Sequence, residues 1–273
     1  MPENITVLIT GATSGLGREV ARALAGRGAH VVLHGRDAGR VEAFADQLRT
    51  TAAMVSTHVA DLASLRSVGA LAEQVSTAHP ELNVLINNAG VGGGPPPHRR
   101  RELSADGYEL RLAVNYLAPL LLTRLLLPVL RRNPPASVVN VASVGQAPVD
   151  LDDLRMDRRY DGAQAYFRSK FALVAATFDL AEADENKGVR INCVHPANYM
   201  DTAQVREAGI APWCPPSAGV DPVLNLAIGP GSTDTGKYYD GTHQAKAHRA
   251  AYKPGARRDL RQVTDSILAP FTA

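Results

Sequence analysis

The sequence predicts an α/β fold, a doubly wound parallel sheet of about seven strands with helices on both faces. Three features carry that prediction. Short runs of aliphatic and β-branched residues alternate with helical patterns along the chain. Those runs are apolar on both faces, as strands buried inside a parallel sheet are. The first run ends in a glycine-rich turn that opens a helix, Thr10-Gly11-Ala12-Thr13-Ser14-Gly15-Leu16-Gly17. Alternation of this kind builds one sheet through right-handed crossovers.

The elements follow in order. Strands are expected over residues 5–10, 30–35, 53–59, 84–87, 138–142 and 189–194, with a late short strand over 236–239. Helical patterns occupy 15–27, 38–49, 64–79, 104–132 and 164–186. Three stretches interrupt the alternation: the loop Gly92-Gly93-Gly94-Pro95-Pro96-Pro97, the charged segment 148–162, and a Pro-, Gly- and Ala-rich segment over 196–222. All lie at or near strand C-terminal ends, where open α/β sheets bind ligands. Residues 196–222 therefore read as a substrate lid, and 240–273 as a C-terminal extension. With no repeat or long linker, residues 1–273 read as one domain.

Composition excludes several classes. Of 273 residues, 45% are hydrophobic and 21% charged, as in ordinary globular proteins. A net charge of +2 implies no nucleic-acid partner. The run Arg99-Arg100-Arg101 reads as a solvated loop tip. Two cysteines, Cys193 and Cys214, fit a reducing compartment and a cytoplasmic location. Residues 5–9 are too short for a signal peptide. The apolar stretch 112–130 holds Asn115, Pro119, Arg124 and Pro128, so it reads as a buried or interface helix and not as a membrane span. No pair of histidines has metal-ligand spacing, so no metal is expected. His195, before Pro196, reads as structural.

The glycine-rich turn points to a nucleotide. Gly11, Gly15 and Gly17 let the backbone turn tightly and approach a pyrophosphate, while the helix N-terminus offers free N–H groups to the anion. Thr13, Ser14 and Leu16 belong to the same turn; the alternative is a plain strand–helix connection. At the end of the second strand, Arg36 stands where an arginine accommodates a ribose 2′-phosphate, which favours NADP(H) over NAD(H). The competing reading gives the ribose contact to Asp37. Asp61, with Leu62, ends the third strand and either contacts adenine or caps a helix. Asn87-Asn88-Ala89-Gly90 ends the fourth strand and suits tight packing against a cofactor, or a structural turn.

Tyr166 and Lys170 lie four residues apart, about one helical turn, and share a face. A nearby ammonium favours the phenolate, which makes the pair a candidate proton donor and acceptor.

Together, Thr10–Gly17, Asp61, Asn87–Gly90, Asn115, Ser143, Tyr166 and Lys170 resemble the short-chain dehydrogenase/reductase family, whose fold is Rossmann-type. The resemblance covers about residues 5–200. The segments Val149-Asp150-Leu151-Asp152-Asp153-Leu154 and Tyr160-Asp161-Gly162 look like the retinol dehydrogenase and protochlorophyllide reductase branch. The resemblance implies hydride transfer between a nicotinamide and a carbonyl or alcohol carbon. Tyr166 is then the acid–base, Lys170 lowers its pKa and holds the nicotinamide ribose, Ser143 holds the substrate oxygen, and Asn115 holds a water leading from Lys170 to solvent. It also implies a homodimer or homotetramer, with the helices of Asn115 and Tyr166 pairing between copies. The bland alternatives are a helix cap for Ser143, a kink near Pro119 for Asn115 and packing on the sheet for Tyr166. One departure stands out. After Pro196 comes Ala197 where the family has glycine, and Thr202 falls one place late, with Asp201 in the usual threonine position. Tyr199 and Trp213 either line the substrate pocket or anchor the lid.

The leading reading is an NADP(H)-dependent oxidoreductase acting on a small carbonyl or alcohol. Non-redox chemistry on the same fold, such as epimerisation or dehydration, is the second, and a nucleotide sensor the third.

Overall fold

The protein was analysed as a computed structural model describing residues 5–50, 54–98 and 100–272. Ala53, the expected start of the third strand, and Arg99 of the basic run lie outside them.

The apolar runs form strands β1 (Thr6–Ile9), β2 (His30–Gly35), β3 (Val55–Val59), β4 (Val84–Asn87), β5 (Ala136–Val141) and β6 (Val189–His195). Between them run α1 (Gly15–Ala25), α2 (Ala38–Arg49) and α3 (Leu65–Ala78), then α4 (Leu110–Leu112), a π turn (Ala113–Leu117) and α5 (Ala118–Arg132) as one continuous helix, and α6 (Gly162–Glu182). Two late strands, β7 (Tyr238–Asp240) and β8 (His243–Ala245), complete the sheet, whose order is β3-β2-β1-β4-β5-β6-β7-β8. Strands β1 to β7 pair in parallel. The order reverses between β1 and β4, and the crevice beyond their C-terminal ends is where such sheets take ligands.

Burial explains the strand composition. Every residue of β1, β4 and β5 is buried. One apolar cluster joins that sheet to α3, α5 and α6 on one face; a second joins it to α1, α2 and the later helix α8 (Val220–Ala227) on the other.

Three boundaries differ from the sequence reading. The fourth helical pattern starts at Leu110 and not at 104, because Leu103 bridges to Glu109 and the Glu109 carboxylate caps the Leu112 N–H at 2.9 Å. Helix α6 starts at Gly162, where Asp161 accepts from the Gln164 N–H at 2.8 Å. The parallel sheet of about seven strands gains a short antiparallel edge: after β7, Gly241 at φ +58° lets the chain reverse into β8 (His243–Ala245).

The extension also forms a helix that pattern reading leaves out, α9 (Pro254–Leu268). It lies on α6 and on the helix of Asn115. The Tyr116 and Thr264 hydroxyls bond at 2.7 Å, and Arg124 pairs with Asp265, Arg257 with Glu182 and Arg261 with Asp179. The helices expected to meet a second copy are thus partly covered by this chain's own C-terminal helix.

Candidate active site

The nucleotide turn is held from below by β4. The Thr10 hydroxyl accepts from the Asn88 and Ala89 N–H groups at 3.0 and 3.1 Å. The Asn88 amide donates to the Thr10 and Gly11 carbonyls at 2.8 and 3.2 Å. A Cβ on Gly11 would stand 2.9 Å from Ala89 Cα, and one on Gly17 2.4 Å from both Gly11 O and Asn88 Nδ2. Gly11 and Gly15 also sit at φ +66° and +52°. The glycines are therefore required by geometry, and Asn88 acts on the turn itself.

Helix α1 leaves its N-terminus open. Ser14 stands at the N-cap without a side-chain capping bond, and the first turn carries no acidic residue. Its N–H groups are free to meet an anion, so these residues fit a pyrophosphate. Thr13 lies against Gly35, where an added Cβ would meet its methyl at 3.0 Å. Leu16 is buried under the lid, near Gly219.

The adenine side separates the competing readings. Arg36 is exposed just after β2. Asp37 caps α2, accepting from the Arg40 N–H at 3.0 Å, so its carboxylate already has a structural task. Asp61 accepts from the Ala63 N–H at 2.9 Å, but the cap of α3 is Ser64. Asp61 stays exposed at the crevice edge, while Leu62 is buried in the core.

Sequence reasoning overlooked His34. Its Nδ1 accepts from the Gly11 N–H at 3.3 Å and its Nε2 meets the Ala60 carbonyl at 3.1 Å. Burial pushes its pKa down to about 4, so the ring is neutral and carries its proton on Nε2. It ties the nucleotide turn to the ends of β2 and β3. Only the fold shows that an otherwise bland strand histidine points at the turn.

On the other side of the crevice, Ser143 follows β5, and Tyr166 and Lys170 project from α6. Ser143 lies beside the Tyr166 hydroxyl and acts to lower its pKa. Lys170 Nζ lies 5.8 Å from the centre of the Tyr166 ring and donates to the Val141 carbonyl at 2.8 Å. Burial pulls the Lys170 pKa down to about 8. The expected lowering of Tyr166 is not found: burial raises its pKa, with Ser143 acting the other way. Desolvation disfavours the phenolate.

Asn115 sits in the π turn, a distortion that often marks functional sites. Its amide donates to the Val91 carbonyl at 2.9 Å and to Ser169 Oγ at 3.0 Å, and its Oδ1 accepts from the Val91 N–H at 2.7 Å. Both amide hydrogens are engaged, so the side chain clamps the β4 loop and has none left to hold a water. Its main-chain carbonyl cannot take an α-helical bond, because that partner would be the N–H of residue 119, and Pro119 has none.

Asn87, taken with Asn88 at sequence level, is structural. It is buried and donates to Thr123 Oγ1 and Asn140 Oδ1 at 3.0 and 2.8 Å. Ala89 lies under the nucleotide turn. Gly90 faces Asn115 and Lys170, where an added Cβ would stand 3.2 and 3.6 Å from Oδ1 and Nζ.

Two further sets were missed. Buried Glu109 and Arg111 pair at 3.2 Å, Tyr160 bonds to both, and Arg111 donates to the Gly92 carbonyl at 2.9 Å. This network fastens the glycine–proline loop to the charged segment before α6. In the lid, Gln204 of α7 (Ala203–Glu207) donates to the Gly90 carbonyl at 2.5 Å. Neither set has a sequence spacing that announces it.

In the rest of the lid, Pro196 is buried beside Gly219. Asp201 pairs with Arg206 through both carboxylate oxygens at 2.7 Å. Thr202, one place late, still reaches the nucleotide turn: its methyl lies 3.2 Å from a Cβ placed on Gly15. Tyr199 and Trp213 stack edge-on at 4.6 Å, with Trp213 71% exposed.

Comparison with known proteins agrees with this fold. The family model for short chain dehydrogenases matches residues 5–210. Retinol dehydrogenase 13 of Homo sapiens is 35% identical over 275 residues, covering 93% of this chain and 81% of its own length. Among solved structures, an uncharacterised protein from Mycobacterium paratuberculosis is 31% identical with a TM-score of 0.79, over 97% of this chain and 93% of that one. A short chain dehydrogenase from Shigella flexneri complexed with NADP is 27% identical with a TM-score of 0.70, over 88% and 97%.

Proposed function

The chain belongs to the short-chain dehydrogenase/reductase family and is similar to its retinol dehydrogenase branch, and from that premise we propose an NADP(H)-dependent oxidoreductase that moves a hydride to or from a carbonyl or alcohol carbon. The observation that carries the reading is the grouping of Ser143, Tyr166 and a buried lysine, whose Nζ lies 5.8 Å from the centre of the Tyr166 ring, at the C-terminal end of the sheet. A bound nicotinamide would donate or accept the hydride. Gly11, Thr13, Ser14, Gly15, Leu16 and Gly17 hold its pyrophosphate in this reading, with Asp61, Asn88, Ala89, Gly90 and Pro196 lining the crevice. Arg36 favours the 2′-phosphate, since Asp37 is engaged as a cap.

This chain's own residues handle the proton. Ser143 Oγ fixes the substrate oxygen beside the Tyr166 hydroxyl. Tyr166, kept protonated by burial, donates as the alkoxide develops and takes the proton back in oxidation. Lys170 Nζ holds the ribose and stabilises the phenolate. Asn115 contributes its carbonyl, not its amide, as the acceptor for a water on the way to Lys170.

An apolar substrate fits the rim. Val144, next to Ser143, is 51% exposed, and Tyr199, Ile210 and Trp213 lie open in the lid. A relative named for retinol points the same way. The helix Leu110–Arg132 is long and apolar enough to cross a membrane, but 83% of its most apolar stretch is buried, so it serves the core in this reading. The free cysteines accord with a cytoplasmic location. Helix α9 lies over part of α5 and α6, and a homodimer or homotetramer would form through the surface it leaves open; a monomeric mass at micromolar concentration would overturn that.

The test mixes the protein with NADPH and a panel of ketones, aldehydes including retinaldehyde, and quinones, and follows nicotinamide absorbance. Consumption with an apolar carbonyl supports the reading. Substrate conversion with no net NADPH loss would replace it by epimerase or dehydratase chemistry on the same residues. Nucleotide binding without any conversion would favour the sensor.

A further inference from the structure

At the opposite edge of the sheet from Ser143, the fold gathers histidines that the sequence keeps far apart. His30 opens β2, His58 lies in β3, His79 caps the C-terminus of α3, and Glu81 follows two residues later. One ligand atom each from His30, His79 and Glu81 lies within 4.8 Å of the other two. His30 Nδ1 is 3.4 Å and His79 Nδ1 3.9 Å from Glu81 Oε1. Bonds of about 2.0–2.1 Å to a tetrahedral ion place its ligand atoms roughly 3.4 Å apart. The His30–Glu81 separation meets that spacing, and His79 needs a small inward shift.

A second observation points to a ligand. The His79 side chain is 6% exposed, and its Nδ1 is buried with no hydrogen-bond partner among the described residues. Leaving such an atom unpaired costs about 1–3 kcal/mol. The remaining ring nitrogens are all held from behind. His30 Nε2 meets Ser56 Oγ at 2.9 Å, and His79 Nε2 meets His58 Nε2 at 3.1 Å. Metal-binding histidines are oriented in this way, with the distal N–H engaged and the proximal nitrogen free.

We propose that His30 Nδ1, His79 Nδ1 and the Glu81 carboxylate bind a zinc ion, with a fourth position open to water. Two imidazoles and one carboxylate suit a borderline transition cation and not calcium or magnesium, which take oxygen ligands. Glu81 is half exposed, which gives the ion a way in. The site lies where β2 and β4 begin, away from the strand ends that carry the nucleotide turn. Its role is to brace the α3–β4 turn against β1 and β2. This inference does not depend on the catalytic reading.

Titration of chelator-treated full-length protein with zinc sulfate, followed by calorimetry, tests it. One zinc per chain is expected, with a higher melting midpoint that chelator reverses and no comparable response to magnesium. His30→Gln and Glu81→Gln, both at partly exposed positions, should each weaken zinc binding at least about tenfold. Ser56→Ala, which touches no ion, should weaken it about 10–100-fold by freeing the His30 ring. His243→Gln, at an exposed histidine elsewhere, should leave it unchanged. If the native chain takes up no zinc, or if folded His30→Gln and Glu81→Gln bind it as tightly as the native chain, the site does not exist.

Discussion

The nucleotide turn and the lid face each other across the same crevice, but different forces hold them. The turn is fixed by backbone: glycines at φ +66° and +52°, a glycine packed against Asn88, and Thr10, Asn88 and His34 bonding to main-chain groups. The lid is held by a few backbone bonds, such as Trp213 N–H to the Tyr199 carbonyl at 2.9 Å and Asp201 N–H to the Cys214 carbonyl at 2.8 Å, and by side chains at or near the surface, such as the Asp201–Arg206 pair and the Tyr199–Trp213 stack. Exposed ion pairs contribute little. The contrast suits the two tasks. A cofactor of constant shape needs a rigid cradle, and a substrate has to enter and leave past a segment that opens at low cost.

The largest expected effect lies on the rigid side. Tyr166→Phe removes the proton donor and should lower kcat by at least about 10²–10⁴-fold while the NADPH dissociation constant stays near its native value. Near-normal turnover would take the proton-transfer role away from Tyr166.

His34 comes next and measures how firmly the turn is tied down. Its folded pKa, about 4, lies below the unfolded value near 6.5. In that window the unfolded chain binds the extra proton, so stability falls as pH drops from about 6.5 toward 4 and levels off below. At about 1.4 kcal/mol per pH unit the loss is on the order of 3 kcal/mol. Urea unfolding across that range should show it, and His34→Gln should flatten the profile by a comparable amount. An unchanged profile in the variant would mean that other groups set the acid limit.

Arg36→Asp should shift preference from NADPH toward NADH by roughly 10–100-fold, the range of a charge-assisted hydrogen bond lost together with a new repulsion. A constant ratio of the two kcat/KM values would show that Arg36 does not read the phosphate. Smallest is Trp213→Ala in the lid. With the ring 71% exposed, stability should move by less than about 0.5 kcal/mol, while KM for an apolar carbonyl rises. A large loss of stability there would erase the contrast between lid and turn.

Legibility followed the same division. The strand–helix alternation and the glycine turn could be read because runs apolar on both faces and glycine-only backbone conformations leave marks on single residues. Tyr166 and Lys170 share a face because they lie one helical turn apart, and Ser143 entered through the resemblance to the family. Tertiary contacts of low sequence specificity could not. Arg111 with Glu109, and Gln204 on Gly90, are ordinary polar residues until the loops close on them. Helix α9 was overlooked because its mostly polar sequence buries only one face, and that face finds its partner on α6 and at Tyr116.

By itself, the sequence determined the alternation of strand and helix, the glycine cradle and the tyrosine–lysine face, since each depends on local geometry within a few residues. Tertiary structure decided what lies between distant segments. It committed the Asn115 amide to Val91, made desolvation and not Lys170 the main influence on Tyr166, and laid the C-terminal helix over a face expected to dimerise. It also drew His30, His79 and Glu81 within reach of one ion. Burial and proximity are properties of the packed chain, so no spacing along the sequence records them.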